Sequence, residues 1–310
     1  MNNDMPFFRQ DIGFYSENNL LRGWLYMPES QQSKYPIIIM AHGYGCVKEL
    51  YLDNFAEVFA KAGFMVLVYD QPNFGESEGM PRQEIDPWLQ VRAYRDAITY
   101  AETLSQVDTD KIGIWGTSYS GGHVLVVAAT DKRVRCVVSQ VPTISGYRNS
   151  LRRIAPSQWP AQRKAWADDR RARYAGTKPV MVPILPNTDA LKGVITSEEA
   201  WELFKGDGSP AEVQRRVRWR NEVTLRSTEL YAEYEPGSYI GRIAPTPLLM
   251  VLADQDDVTM TDEELTAYNQ ANEPKQLVMI KGSHFSPYIR QFEPASRAAC
   301  QWFQQYLLTN

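Results

Sequence analysis

Lys111-Ile-Gly-Ile-Trp-Gly-Thr-Ser-Tyr-Ser-Gly-Gly-His123 is the stretch that decides how this chain is read. The apolar run Ile112 to Trp115 predicts a buried strand, and Gly116 opens a turn. From Tyr119 the spacing of His123, Val124, Val127 and Ala128 predicts a helix. Ser118 therefore stands on a strand–turn–helix corner, with a glycine two positions before it and Ser120, Gly121 and Gly122 just after. A residue on so sharp a turn is held in strained backbone geometry, which the chain tolerates only where its neighbours are small. The turn lifts the hydroxyl clear of the strand ends. It also aims the N-terminus of the following helix, with its unpaired N–H groups, at the place where an oxyanion would form.

Outward from this corner, strand and helix signals alternate. Phe14 to Met27 predicts an antiparallel edge hairpin turning at Glu17-Asn-Asn19. Pro36-Ile-Ile-Ile-Met-Ala41 and Phe64 to Tyr69 are continuous apolar runs of the kind buried on both faces of a parallel sheet. An amphipathic helix from Leu50 to Ala62 separates them. Asp86-Pro-Trp88 starts a helix running to about Leu104, with proline in its first turn. Val134 to Ser139, Pro247 to Leu252 and Gln276 to Ile280 predict further strands, with helices expected over Thr261 to Ala271 and Pro294 to Leu308. The expected class is α/β: a mostly parallel, eight-stranded type of sheet with helices on both faces. Residues 141–240 break the alternation and are rich in Arg, Trp and Pro with helical periodicity. They carry sixteen Lys and Arg against twelve Asp and Glu, so this segment is +4 and the remainder of the chain −8. The expected organisation is one domain from 1–140 and 241–310, with a helical lid inserted at 141–240.

Composition narrows the function classes. A chain of 310 residues, 44% hydrophobic and 23% charged, buries a sizeable core. Its net charge of −4 does not point to a nucleic-acid partner. Three widely spaced cysteines, Cys46, Cys136 and Cys300, suit a reducing compartment better than a disulfide framework. Met1-Asn-Asn-Asp-Met-Pro lacks the basic and apolar regions of a signal peptide, and no apolar run approaches the roughly 20 residues of a membrane span. A cytoplasmic protein without membrane or nucleic-acid partners is expected; a homo-oligomer is left open.

A serine hydroxyl needs a base to become a nucleophile, and the chain has only three histidines. His42 lies in the loop after an expected strand, and His123 on the elbow helix reads as structural. His284, in Lys281-Gly-Ser-His-Phe-Ser-Pro287, follows the last expected strand and is the candidate base. A carboxylate should hold the imidazole, and the loop after Leu252 offers Asp254, Asp256 and Asp257 in the order Ser, Asp, His along the chain. The residues alone do not choose among the three. Two N–H donors for an oxyanion are expected from the amides of Tyr119 and of Tyr44 in His42-Gly-Tyr-Gly45, where glycines permit close backbone approach. Trp159 and Trp166 are candidate walls of an apolar acyl pocket.

The blocks His42-Gly-Tyr-Gly45 with Lys48-Glu49, Val68-Tyr-Asp70 with Phe74-Gly75 and Ser77, Gln83-Glu-Ile-Asp-Pro87, Ile114-Trp-Gly-Thr-Ser-Tyr-Ser-Gly-Gly122 and Gly282-Ser-His-Phe285 carry a resemblance. The chain resembles an α/β-hydrolase of the dienelactone-hydrolase and S15-like esterase branch. More closely, it is similar to the fungal polyketide transferase family and its bacterial hydrolase relatives. The resemblance implies a serine hydrolase or acyl transferase on a small-molecule acyl substrate, without metal or cofactor, and implies Asp256 as the acid. Two departures stand out. Ser120 replaces the usual final glycine of the pentapeptide, and Gln71-Pro-Asn73 replaces a loop in which the family places an arginine.

Overall fold

The apolar runs are the strands of one sheet in the computed structural model of the chain, which describes residues 5–30, 32–186, 193–195, 198–206 and 208–308. The strands are β1 (Phe7–Ser16), β2 (Asn19–Pro28), β3 (Tyr35–Ala41), β4 (Met65–Tyr69), β5 (Val107–Thr117), β6 (Val134–Gln140), β7 (Met181–Val182), β8 (Val223–Thr224), β9 (Leu248–Ala253) and β10 (Lys275–Ile280). The helices are α1 (Leu52–Lys61), α2 (Pro87–Glu102), α3 (Tyr119–Thr130), α4 (Gly146–Arg153), α5 (Trp159–Tyr174), α6 (Glu198–Lys205), α7 (Pro210–Arg215), α8 (Leu225–Ala232), α9 (Thr261–Gln270) and α10 (Phe292–Phe303). Eight strands form the main sheet in the order β1-β2-β4-β3-β5-β6-β9-β10. The pairs β1–β2 and β2–β4 are antiparallel, and every later pair in that order is parallel.

The edge hairpin is longer than its apolar pattern predicts. β1 starts at Phe7 rather than Phe14 because its first half, including Arg9, Gln10 and Asp11, is solvent-facing and lacks an apolar signal. Glu17 and Asn18 both have positive φ, as a two-residue hairpin turn requires. The central strands are apolar throughout because both sheet faces are covered. Ile37, Ile39 and Ala41 face the core shared with α2 and α3, whereas Ile38 and Met40 face the core under α1 and α10. The start of α2 follows its sequence signal: Asp86 Oδ1 accepts from the amides of Trp88 and Leu89, with Pro87 at the first position. His123 on α3 is a buried strut, with Nδ1 2.9 Å from the Tyr234 hydroxyl and Nε2 2.8 Å from Gln90 Oε1. Among the described residues no helix is long and apolar enough to cross a membrane.

Between β6 and β9 the chain leaves the sheet. Residues 141–240, expected as a helical lid, hold α4 to α8, and also β7 and β8, a two-residue antiparallel pairing that helical periodicity does not announce. The excess of arginine in this segment is matched by carboxylates of the body. Arg215 meets Asp53, Arg218 meets Glu49 and Glu76, Arg226 meets Glu84, and Arg148 and Arg152 meet Glu263.

A buried cation joins the loops after β3 and β4. Lys48, fully buried after β3, sets Nζ 2.8 Å from Asp70, 3.1 Å from Glu49 and 2.6 Å from Glu76. The Lys48 amide also donates to Asp70 Oδ1 at 2.7 Å. Burial opposes a charged amine, but these carboxylates outweigh it and hold the ammonium above its ordinary range. The loops after β3 and β4 are thus fastened by one buried cation.

Two outcomes follow from these buried groups. Lys48→Met strands charged carboxylates without their cation, and urea titration should show a loss of about 3–5 kcal/mol. His123 is pushed down to about 3 by burial, so the native state refuses a proton that the unfolded chain takes up near 6.5. Stability present above that pH should therefore fall as pH drops below it. In wild type, His123 should contribute about 1.4 kcal/mol per pH unit to that fall, and a His123→Gln variant should lose this slope when unfolding is measured across pH 4–8.

Candidate active site

The parallel strands end on one rim, and the loops leaving β3, β5, β9 and β10 bring the sequence candidates together there. Ser118 follows β5 with φ 56° and ψ −118°, a left-handed backbone that a residue bearing a side chain rarely adopts. Its amide donates to Gln140 at 2.9 Å, and its carbonyl accepts from Thr143 at 3.0 Å and Gly122 at 3.3 Å. Glycine is required two residues earlier, because a Cβ on Gly116 would lie 2.2 Å from the Ser120 carbonyl oxygen. Ser120, the departure from the usual glycine, is buried, and its hydroxyl donates to the His42 carbonyl. It fastens the elbow helix to the loop after β3.

His284 follows β10 and sets Nε2 3.0 Å from Ser118 Oγ. Its Nδ1 lies 2.6 Å from Asp256 Oδ2. Asp256 is buried in the loop after β9, where Oδ1 accepts from the amides of Val258 and Thr259 at 2.8 and 2.7 Å. The Thr259 hydroxyl adds a bond to Oδ2 at 2.8 Å. Burial disfavours the carboxylate, but the imidazole and the Thr259 donors prevail and hold it below the usual aspartate range. An imidazole so held can accept a proton from the serine while its other nitrogen remains bound to the carboxylate. The other two aspartates do different things. Exposed Asp254 clasps the neighbouring loop by accepting from the Gly282 amide at 2.7 Å, and Asp257 is exposed. His42 is buried beside the site, accepts from the Gln71 amide at 3.0 Å, and is pushed down to about 4 by burial, so it serves as a neutral acceptor.

The amides of Tyr44 and Tyr119 have no acceptor among the described residues. Gly43 explains how the first approaches: a Cβ there would lie 3.0 Å from the Ser118 Cβ. The Tyr44 ring packs edge-on against Tyr119 and Tyr231 at 5.5 and 5.6 Å. Beside Ser118 and His284 lies a small cavity of about 30 Å³, walled chiefly by Leu50, Leu52, Leu203, Phe204, Phe285 and Tyr288. Leu203 and Phe204 come from α6, so the inserted segment closes this apolar space.

Trp159 and Trp166, the candidate pocket walls, are not part of that lining. They lie seven positions apart on α5 and pack edge to face at 6.1 Å. The Trp166 indole N–H donates to Thr228 of α8 at 2.8 Å, and the Trp159 ring packs against Tyr147 of α4 at 6.5 Å, so both rings join helices of the insertion. Several residues around the site had no individual sequence signal: Thr259 behind Asp256, Tyr288 bonded to Thr117, and the α6 pair at the cavity. Only the position of Thr259 shortly after an aspartate-rich loop end hinted at a turn-type role.

Comparison with known proteins shows the family and the fold. Residues 19–286 match the model of the X-Pro dipeptidyl-peptidase (S15) family. The chain is 34% identical to a thiohydrolase, aneE, of Aspergillus aculeatus, over 86% of this chain and 83% of that one. It is 32% identical to the quorum-quenching protein AidA of Acinetobacter baumannii, over 93% and 91% of the two chains. The crystal structure of the α/β hydrolase GrgF from Penicillium superposes with a TM-score of 0.83 at 24% identity, covering 97% of this chain and all of that one, a likeness of fold. With the family model spanning most of its length and the same fold in a solved structure, the chain belongs to the S15 family of α/β-hydrolases, that of the X-Pro dipeptidyl-peptidases.

Proposed function

We propose that the protein is a serine hydrolase that opens carboxylic esters, lactones or thioesters of apolar acyl groups through an acyl-enzyme on Ser118. The observation that carries this reading is the hydrogen-bonded line from Asp256 through His284 to Ser118, at 2.6 and 3.0 Å, beside two amides without an acceptor among the described residues. In this reading Ser118 Oγ attacks the acyl carbonyl carbon as His284 Nε2 takes its proton. Asp256 keeps Nδ1–H oriented and stabilises the imidazolium. The amides of Tyr44 and Tyr119 receive the oxyanion. The imidazolium then returns its proton to the departing alkoxide or thiolate, and water activated by the same imidazole releases the acid. Free thiols at Cys46, Cys136 and Cys300 fit a cytoplasmic setting.

A second reading, transfer of the acyl group to an alcohol or amine, draws support from the cavity. Its walls come from body and insertion alike and offer water few hydrogen-bonding partners. The two readings differ in the ratio of transfer product to free acid when an acceptor alcohol is added.

Three measurements test the proposal. Ser118→Ala should lower kcat on p-nitrophenyl butyrate by on the order of 10³-fold or more. A fluorophosphonate probe should label wild type at Ser118 alone, and failure to label would count against the acyl-enzyme. Phe204→Ala enlarges the cavity and should shift the preferred p-nitrophenyl ester by about two or more carbons toward longer chains, as a deleted ring leaves room for several methylenes. Trp159→Ala should leave that preference in place.

A further inference from the structure

A second carboxyl group lies behind Asp256, and acyl-enzyme chemistry as described makes no use of it. Glu264, in the first turns of α9, is wholly buried. Its Oε1 is 3.1 Å from Thr259 Oγ1, and its Oε2 has no hydrogen-bond partner among the described residues. No cation pairs with it among the described residues. The arginines that reach this helix go elsewhere: Arg148 to Glu263, and Arg152 to Asp262 and Glu263.

The groups facing Glu264 come from three elements. Asp256 and Thr259 approach from the loop after β9, Asp262 from its own helix, and the Tyr288 phenol from the segment after β10. His284 touches the same Thr259 hydroxyl, at 3.1 Å. Burial first, and then the charges of Asp256 and Asp262, drive this carboxyl far above the ordinary glutamate range. Full burial, the lack of a cation partner among the described residues and a carboxylate sharing its Thr259 contact all favour the neutral acid.

Thr259 has one hydroxyl proton and three acceptors within reach: Asp256 Oδ2 at 2.8 Å, Glu264 Oε1 at 3.1 Å and the Val141 carbonyl at 3.2 Å. Were Glu264 ionised, two carboxylates would compete for that single proton. A protonated Oε1 can instead donate to the threonine oxygen, which withdraws Glu264 from the competition.

We propose that Glu264 is a positioning residue of this site: a neutral carboxylic acid that donates to Thr259 Oγ1 and so commits the Thr259 proton to Asp256 Oδ2. The chain of donors then runs from Glu264 to Thr259 to Asp256, which receives His284 from the other side. Its effect is to keep the carboxylate in register with the imidazole without adding a second negative charge. An extra charge there would hold the proton on His284 and remove the base at a given pH. This inference rests on the acyl-enzyme reading of Ser118, Asp256 and His284.

The test is kcat and KM for p-nitrophenyl butyrate across pH 5–9 in wild type, Glu264→Gln, Glu264→Leu and Thr259→Val, with Ser118→Ala in parallel. Glutamine can donate to Thr259 without ever bearing charge, so its kcat should stay within about twofold of wild type and its acid limb should not move. Leucine and the valine variant should each lose about 10-fold in kcat with KM unchanged, the factor that one hydrogen bond to a charged group is worth. The double variant Glu264→Leu with Thr259→Val should be no slower than either single one. An acid limb that shifts downward in Glu264→Gln means that the group was ionised, and overturns the proposal. Wild-type kcat in Glu264→Leu with only a lowered melting temperature means a purely structural role, and overturns it too. Should Glu264→Leu fail to fold, the pH profile of Glu264→Gln and the kcat of Thr259→Val still decide. An active Ser118→Ala would instead refute the acyl-enzyme reading itself.

Discussion

The left-handed backbone at Ser118 is the constraint around which the rest of the molecule is arranged. Such a conformation costs of order 1–3 kcal/mol, and it persists only where the surroundings over-determine it. Here β6 accepts the serine amide, Thr143 and Gly122 bind its carbonyl, and the missing side chain of Gly116 leaves room for the helix to start at once. Ser120 completes the arrangement by bonding to the loop after β3. A hydroxyl, a glycine-flanked loop and a helix N-terminus are thereby fixed relative to one another. This is the preorganisation that the proposed acyl-enzyme chemistry would require.

Much of this was legible from residue types and order. The elbow needs a small-residue pattern between a strand and a helix. His284 was singled out because it follows the last strand, whereas His42 lies in the first loop and His123 on the elbow helix; in the structure these two hydrogen-bond with Gln71, Gln90 and Tyr234. The residues alone did not choose among Asp254, Asp256 and Asp257; only the family resemblance pointed to Asp256. The choice depends on which carboxylate the turn folds inward, and that is decided by the amides of Val258 and Thr259 and by Thr261, whose hydroxyl accepts from the Asp256 amide. The tryptophans misled because a large aromatic ring beside a candidate site satisfies helix packing as readily as it walls a pocket. The pairing of Asp70 with Lys48, which comes from an adjacent loop, was not legible either, because spacing along the chain does not announce it.

Charge is distributed with equal economy. The insertion is basic and the body acidic, and the ion pairs between them lie around the junction rather than beside Ser118. Pairs that are exposed contribute little individually. They fix the register of the insertion on the body, whereas Ile195, Leu203 and Phe204 supply apolar contact at the cavity.

That cavity is also a gap in the hydrophobic core, since residues on its two sides would otherwise close on one another. On the acyl-enzyme reading, an acyl chain entering there would be buried between segments that are far apart in sequence. Ligand binding and the seating of the insertion would then be linked, the stabilisation growing with the logarithm of ligand concentration above its dissociation constant.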